Sequence, residues 1–253
     1  MIKKVHEETV LWHLGNMAFH GKTLIMMWIV MVFMLVFVLM GVRNLTSGKP
    51  GKMQNFLEWV IDFVKNLVGD NMDSEKGRPL LGYLVTLIMF VFFSNMLGLM
   101  PNFSFNLLEH FHIEFAHLDK IFEEPFMASP TADINITMAL ALMTICMVIG
   151  LGVKHKGGHY FHHFIEPSPV FAIIHIIDML SKPMTLAFRL FGNIFAGEIL
   201  IKVILMLPGI SVLGGIIPML IWLAFSIFIG AIQSYVFTVL TTAYISQAVT
   251  ESH

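Results

Sequence analysis

The chain has 253 residues, of which 57% are hydrophobic and only 13% charged, with a formal net charge of −2. Soluble domains carry about 25% charged residues, so this composition is that of an integral membrane protein, and a near-neutral balance excludes a strongly basic nucleic-acid binder. The single cysteine, Cys146, excludes disulfides within the chain and thiolate metal clusters.

From the start, MIKKVHEETVLW carries acids, and the first apolar run is too long and lacks a small-residue cleavage site, so no signal peptide is expected. The uncharged run 23–42 spans about 30 Å as a helix, enough to cross a bilayer. Between Arg43 and Arg78 the chain is basic, with Lys49, Lys52, Lys65 and Lys76. Within it, 54–69 reads as an amphipathic helix, with Phe56, Val60, Phe63, Val64 and Leu67 opposite Glu58, Asp62, Lys65 and Asn66. Too short and charged to span, it suits the cytoplasmic interface or a packed position against a partner. The second and third spans are 79–101 and 134–153, joined by an acidic connection holding Glu109, Glu114, Asp119, Glu123 and Glu124.

After Lys154 and Lys156 the fourth apolar run, 168–207, would be roughly 60 Å long as one helix, so it must tilt or bend, with Pro183 a place for a kink. Pro208, Gly209, Gly214, Gly215 and Pro218 predict a turn before a fifth helix over 219–250. The expected fold is therefore all-α: one membrane domain of about five transmembrane helices plus the interfacial helix, the last two forming a long tilted hairpin. By the positive-inside rule the basic segments are cytoplasmic and the acidic loop is outside. That sets the N-terminus outside and the C-terminus inside.

The fourth run contains Arg189. An arginine at mid-bilayer costs roughly 2.5–3.5 kcal/mol on translocon scales, and a guanidinium cannot escape by losing its proton. About twenty mostly apolar residues lie on either side, which argues against simple snorkelling to the interface. On a helical wheel Asp178 and Lys182 lie about 20° from Arg189, Asn193 about 40°, and Glu198 on the opposite side. Along the axis Asp178 is about 16 Å to the cytoplasmic side and Glu198 about 13 Å to the outer side. Polar groups spread along the membrane normal point to an ion path interrupted at the arginine. Asp133 opens the third span and suits either an N-cap or the outer end of that path. Gln233 in the last helix lies at about the depth of Arg189 in an antiparallel hairpin, and suits either the path or an interhelical contact. Lys182, near a helix end, suits snorkelling.

The stretch SKPMTLAFRLFGNIFAGE closely resembles the signature of subunit a of F-type ATP synthases. The resemblance extends to FSNMLGLMP at 93–101, PTADINIT at 130–137 and IQSYVFTVLTTAYIS around Gln233, covering most of the chain from about residue 80. It implies a stator in the plasma (inner) membrane, attached to peripheral-stalk b subunits, facing a rotating ring of c subunits with mid-membrane carboxylates. It also implies a transported H⁺ or Na⁺, no cofactor and no catalysis by the subunit itself. Arg189 would correspond to the essential arginine between two offset half-channels. Asp133, Asn193, Glu198 and Gln233 would belong to or border the outer one, and Asp178 would stand on the cytoplasmic side. Arg189, Leu186 and Asn193 would face the rotor. Many relatives have a histidine two turns before the last-helix glutamine; here that position is Ser226.

Two other readings remain open. His155, His159, His162 and His163 have spacings like the histidine boxes of membrane di-iron enzymes, but the two boxes share His159 and no third follows. His110, His112 and His117 fall in the loop placed outside, so no metal site is expected. A stand-alone transporter would need internal repeats, which are not evident.

Overall fold

The computed structural model describes residues 11–14, 17–99, 129–157, 169–205 and 212–250. A short antiparallel hairpin pairs β1 (Leu11–Leu14) with β2 (Met17–His20), in the register Leu11 with His20 and Leu14 with Met17. It is followed by α1 (Gly21–Val42), α2 (Lys52–Asn71), the single turn α3 (Ser74–Gly77), α4 (Leu81–Leu97), α5 (Ile134–Lys156), α6 (Pro169–Leu205) and α7 (Val212–Val249). The hairpin was not expected from the apolar pattern. Its signal is local: Gly15 and Asn16 are residue types that two-residue hairpin connections favour. The acidic connection expected after the second span, and His159, His162 and His163, lie outside the described residues.

Helices dominate because no water is present in the hydrocarbon layer to satisfy a free backbone amide. Among the described residues, four stretches are able by length and composition to cross a membrane: Gly21–Val42, Glu75–Leu97, Ile134–Lys156 and Ile217–Val249. The remaining long helix, α6, has 37 residues and continues through Pro183, its apolar character diluted by Asp178, Lys182, Arg189 and Glu198. Its last partner, α7, begins at Val212 rather than 219, with Gly214, Gly215 and Pro218 inside the helix. Glycine and proline are weaker helix breakers in a bilayer, where neighbouring helices satisfy the freed backbone groups.

The helices alternate in direction, and contacts gather their ends at two poles. At one pole the Lys76 Nζ donates to the Val249 carbonyl at 3.2 Å, and the Ser246 hydroxyl donates to the Asn71 carbonyl. Val64, Val68, Leu80, Leu84, Val148 and Ile245 form the core there. At the opposite pole Asp133 meets Thr23, and Ser129 meets Ser94. The pairs Lys182 with Tyr244, Asn193 with Gln233 and Gly197 with Trp222 run in opposite senses along α6 and α7, so these two helices form an antiparallel hairpin.

One face of α7 is small and polar: Gly230, Ser234, Thr238, Thr241 and Thr242 are all buried. Small residues let helix backbones approach, and each hydroxyl is satisfied by a carbonyl one turn back, as in Thr238 to Ser234 at 2.9 Å. A Cβ added at Gly230 would lie 3.2 Å from the Asn95 Cβ and 3.0 Å from the Met96 Cε, so α4 crosses α7 at close range here.

The amphipathic segment packs on its own chain. Leu57, Val60, Val64, Leu67 and Val68 are buried, and α2 lies against α1, α4 and α7. The buried face is rotated from the expected one: Phe56 is exposed, while Leu57 and Val68 turn inward. Gly41 makes room for this, since a Cβ there would collide with the Leu57 side chain.

Gly230→Val should destabilise the fold by about 1–3 kcal/mol, because Asn95 cannot retreat without losing its hydrogen bonds. Gly230→Ala should cost less. The check is the midpoint of detergent- or heat-induced loss of helicity in the purified protein.

Candidate functional site

Arg189 stands on α6 where the helix passes from a packed face to a bare one. Leu186, Ala187 and Leu190 are completely buried with Leu87, Val91, Ala141 and Phe237. Around the other side, Ile174, Ile177, Phe188, Phe195 and Ile199 are exposed apolar side chains. Arg189 is partly exposed between them, and among the described residues its guanidinium has no hydrogen-bond or ion-pair partner.

This placement corrects one expectation. Leu186 does not share a free face with Arg189. It lies about 60° round the helix from Arg189, on the side that packs on α4, α5 and α7, and is 1% exposed. The wheel gave the angle between the two residues but not the edge of the buried sector.

Asn193, one turn beyond Arg189, is exposed yet bridges to α7, its Nδ2 donating to the Gln233 Oε1 at 3.0 Å. Gln233 itself is buried. About two and a half turns beyond Arg189, Glu198 points into the chain's own bundle, where its Oε1 accepts from the Ser129 backbone N–H at 3.0 Å. A Cβ at Gly98 would come within 3.2 Å of the same oxygen, so the absence of a side chain there leaves the carboxylate its space.

Glu198 and Asn193 line one cavity of about 210 Å³, together with Asn95, Gly98, Trp222 and Ser226. Among the described residues the buried Ser226 hydroxyl has no partner, and a water or ion in the cavity would satisfy it. Behind the cavity runs a buried polar network. The Asn95 Nδ2 donates to the Gly230 carbonyl at 3.0 Å, and its Oδ1 accepts from the Thr131 hydroxyl at 2.7 Å. Ser129 donates to the Ser94 carbonyl at 2.8 Å and lies 2.6 Å from the Thr131 hydroxyl. The two hydroxyl protons are shared among three oxygen–oxygen contacts, so only two of the three are hydrogen bonds at any one time. The network fixes Ser129, whose amide holds Glu198.

Asn95, Ser129 and Thr131 were not singled out as site residues in the sequence. The available signal was weak: Asn95 is an uncharged polar residue inside an apolar run, and Ser129 and Thr131 flank a proline beside Asp133.

Asp133 lies apart from the cavity lining. Its Oδ1 accepts from the Asn135 backbone N–H at 2.9 Å, capping α5. Its Oδ2 accepts from the Thr23 hydroxyl at 3.2 Å and lies 3.2 Å from the His20 Nδ1, tying α1 and the hairpin to α5. Toward the other pole, Asp178 is exposed and pairs with Lys182 at 2.7 Å, one turn on. The Lys182 ammonium also lies 5.2 Å from the centroid of the Tyr244 ring, so it is held between α6 and α7 rather than snorkelling freely. The structure therefore gathers Asn193, Glu198 and Gln233 on one side of Arg189 and leaves Asp178 on the other.

Among the described residues no group of histidine, cysteine or carboxylate side chains is arranged to hold a metal ion. His155 lies within the last turn of α5, with its Nδ1 2.9 Å from the Leu151 carbonyl.

Curated relatives named ATP synthase subunit a align along almost the whole chain. The protein from Desulforamulus reducens is 38% identical over 239 residues, covering 93% of this chain and 82% of its own length. That from Bacillus subtilis is 38% identical over 250 residues, covering 94% and 96%. That from Lysinibacillus sphaericus is 36% identical over 253 residues, covering 98% and 100%. The family described as ATP synthase A chain matches residues 24–246, most of the chain, and the chain belongs to that family.

Proposed function

We propose that the chain is the ion-translocating stator subunit of an F-type ATP synthase in the cell membrane. In this reading it presents two offset half-channels to the carboxylates of a c-subunit ring, separated by Arg189, and is held by peripheral-stalk b subunits. It binds no cofactor and catalyses no bond-making itself. The observation that carries the reading is the unpartnered Arg189 guanidinium at the edge of a bare apolar helix face, with carboxylates on both sides of it in depth.

The physics is that of an exchangeable charge meeting a fixed one. A ring carboxylate in lipid is neutralised by its ion, because desolvation disfavours the charged form. Beside a guanidinium the charged form is favoured, typically by about 1–3 pKa units, and the ion leaves into one half-channel. After passing the arginine the carboxylate reloads from the other. Each charge moved across the membrane potential gains about 2.3 kcal/mol per 100 mV, which drives rotation as long as ions cannot pass straight through. Arg189 repels cations and blocks that leak.

On the outer side the path runs through the cavity lined by Asn193, Glu198 and Ser226, with Gln233 as the partner that steadies Asn193. Asp133 stands at the rim of that side. Asp178, with Lys182 across from Tyr244, stands at the cytoplasmic mouth. The basic residues Arg43, Lys49, Lys52, Lys65, Lys76 and Arg78 belong to the segment between α1 and α4, and this supports a cytoplasmic C-terminus and an outer N-terminus. The transported ion is H⁺ or Na⁺.

Arg189→Ala should abolish ion-coupled ATP synthesis while the complex still assembles, and Arg189→Lys should fail as well, since lysine neither stays charged at all costs nor offers a planar fork. Synthesis by assembled mutant complexes in energised vesicles measures this, and full coupling in Arg189→Ala would defeat the proposal. Glu198→Gln should slow ion flux at least tenfold, because an exchangeable carboxylate becomes a neutral amide of the same shape, a loss of about 1.4 kcal/mol or more. Asp133→Asn should be milder, since asparagine still caps α5. Cysteines replacing Asn193 or Phe188 should crosslink to the carboxylate-bearing c helix, and those replacing Leu186 or Glu198 should not. Equal crosslinking from all four positions would contradict a single rotor-facing side.

A further inference from the structure

Apart from the Glu198 cavity, α2, α4 and α7 line a groove of about 250 Å³ whose lining holds no charged residue. Its rings form a ladder. Phe56 lies 6.2 Å from Trp59, Trp59 stacks 6.0 Å from Phe63, and Phe63 meets Tyr235 of α7 at 5.7 Å. The floor is Met89 and Ile88 of α4, and the Ser234 hydroxyl is turned away onto the Ala231 carbonyl at 2.7 Å. Trp59 is 63% exposed and Tyr235 45%, so the ladder stands open at the surface.

The same stripe of α2 changes character at its N-terminal end. Lys52, Phe56, Trp59 and Phe63 follow the spacing i, i+4, i+7, i+11, which places an exposed lysine one turn beyond the aromatic ladder on one helical face. Two more exposed cations, Arg43 and Lys49, belong to the link that leads into α2. Gln54, 7% exposed, accepts from the Thr46 N–H at 3.2 Å and donates to the Thr46 carbonyl at 3.0 Å and to Glu58 Oε1 at 2.7 Å. The Thr46 hydroxyl donates to the Lys49 carbonyl at 3.3 Å. These bonds pin the link that carries exposed Arg43 and Lys49 against the start of α2. Glu58 and Asp62 lie about 80–120° round the helix from Lys52, off the stripe.

We propose that this is a binding site for an anionic phospholipid, with one acyl chain in the aromatic groove and the headgroup phosphate held by Arg43, Lys49 and Lys52. An apolar slot with a cationic end on one helix face matches an amphiphile with a negative head, and basic clusters at the membrane surface beside apolar clefts recognise such headgroups. A partner's transmembrane helix without acidic side chains would leave the three cations unmet. The site does not depend on the ion path, because it shares no lining residue with the Glu198 cavity.

The test uses the assembled complex reconstituted in phosphatidylcholine vesicles with trace photoactivatable phosphatidylglycerol or photoactivatable phosphatidylcholine, the reactive group being in the acyl chain. Labelling within α2 and α4 should favour the glycerol lipid. Lys49→Gln and Lys52→Gln should each reduce that preference about fivefold, the share of one basic residue at an anionic surface, while labelling by the choline lipid persists. Trp59→Leu should lower labelling by both lipids. Equal labelling of the native chain by both lipids, or adducts with another protein and none with lipid, would overturn the proposal. ATP-driven ion pumping by the two lysine variants should stay at the native rate, so a failed lipid preference is distinguishable from a failed ion path.

Discussion

A guanidinium cannot shed its proton, so a helix that carries Arg189 through lipid must keep something polar, or something that becomes polar on demand, beside it. The rest of the structure is organised around that demand. α6 is packed on one side through Leu186, Ala187 and Leu190 and bare on the other through Phe188, Phe195 and Ile199, and the arginine sits on the boundary. Burying it fully would need a permanent carboxylate partner, and full exposure to lipid would leave the charge unmet. The edge position leaves the guanidinium available to a group that comes and goes.

The packed side has to be rigid for such a position to hold. Rigidity here comes from close helix approach rather than from large side chains. Gly230 and the serine and threonine face of α7 allow α4 to cross within contact distance, and Asn95 locks the crossing by bonding both the Gly230 carbonyl and Thr131. In a bilayer, helices are not driven together by water, so small residues and interhelical hydrogen bonds supply the association. The same network carries Ser129 to Glu198, so the element that holds the helices together also holds the Glu198 carboxylate.

The carboxylates are treated differently, and the difference follows from depth. Asp133, at a helix start, has both oxygens engaged, one by the α5 N-terminus and one by Thr23 and His20. Its geometry is that of a clasp between α1 and α5. Glu198 sits in a cavity beside an unpartnered Ser226 hydroxyl, where a small polar guest has room. Asp178 is exposed and leans on Lys182, which Tyr244 in turn supports. Of these three carboxylates, Glu198 is the one that lines a cavity.

By itself the sequence determined the membrane class, the long helices, the antiparallel final hairpin and Arg189 as the charge that needs a purpose. These follow from run length, composition and the cost of charge in hydrocarbon, all of which are local quantities. The start of α7 at Val212 was not legible, because glycine and proline mark turns in water more firmly than in lipid. Nor was the buried sector of α6 or of α2 legible: a wheel gives relative angles, but which sector is covered depends on where α4, α5 and α7 lie. That is why Leu186 turned inward beside Arg189 and why Leu57 rather than Phe56 packs on α1. The network of Asn95, Ser129, Thr131 and Gly230 was equally hidden. Its two bonds to Asn95 reach across 36 and 135 residues, and only the tertiary structure brings an amide, two hydroxyls and a carbonyl into hydrogen-bonding distance.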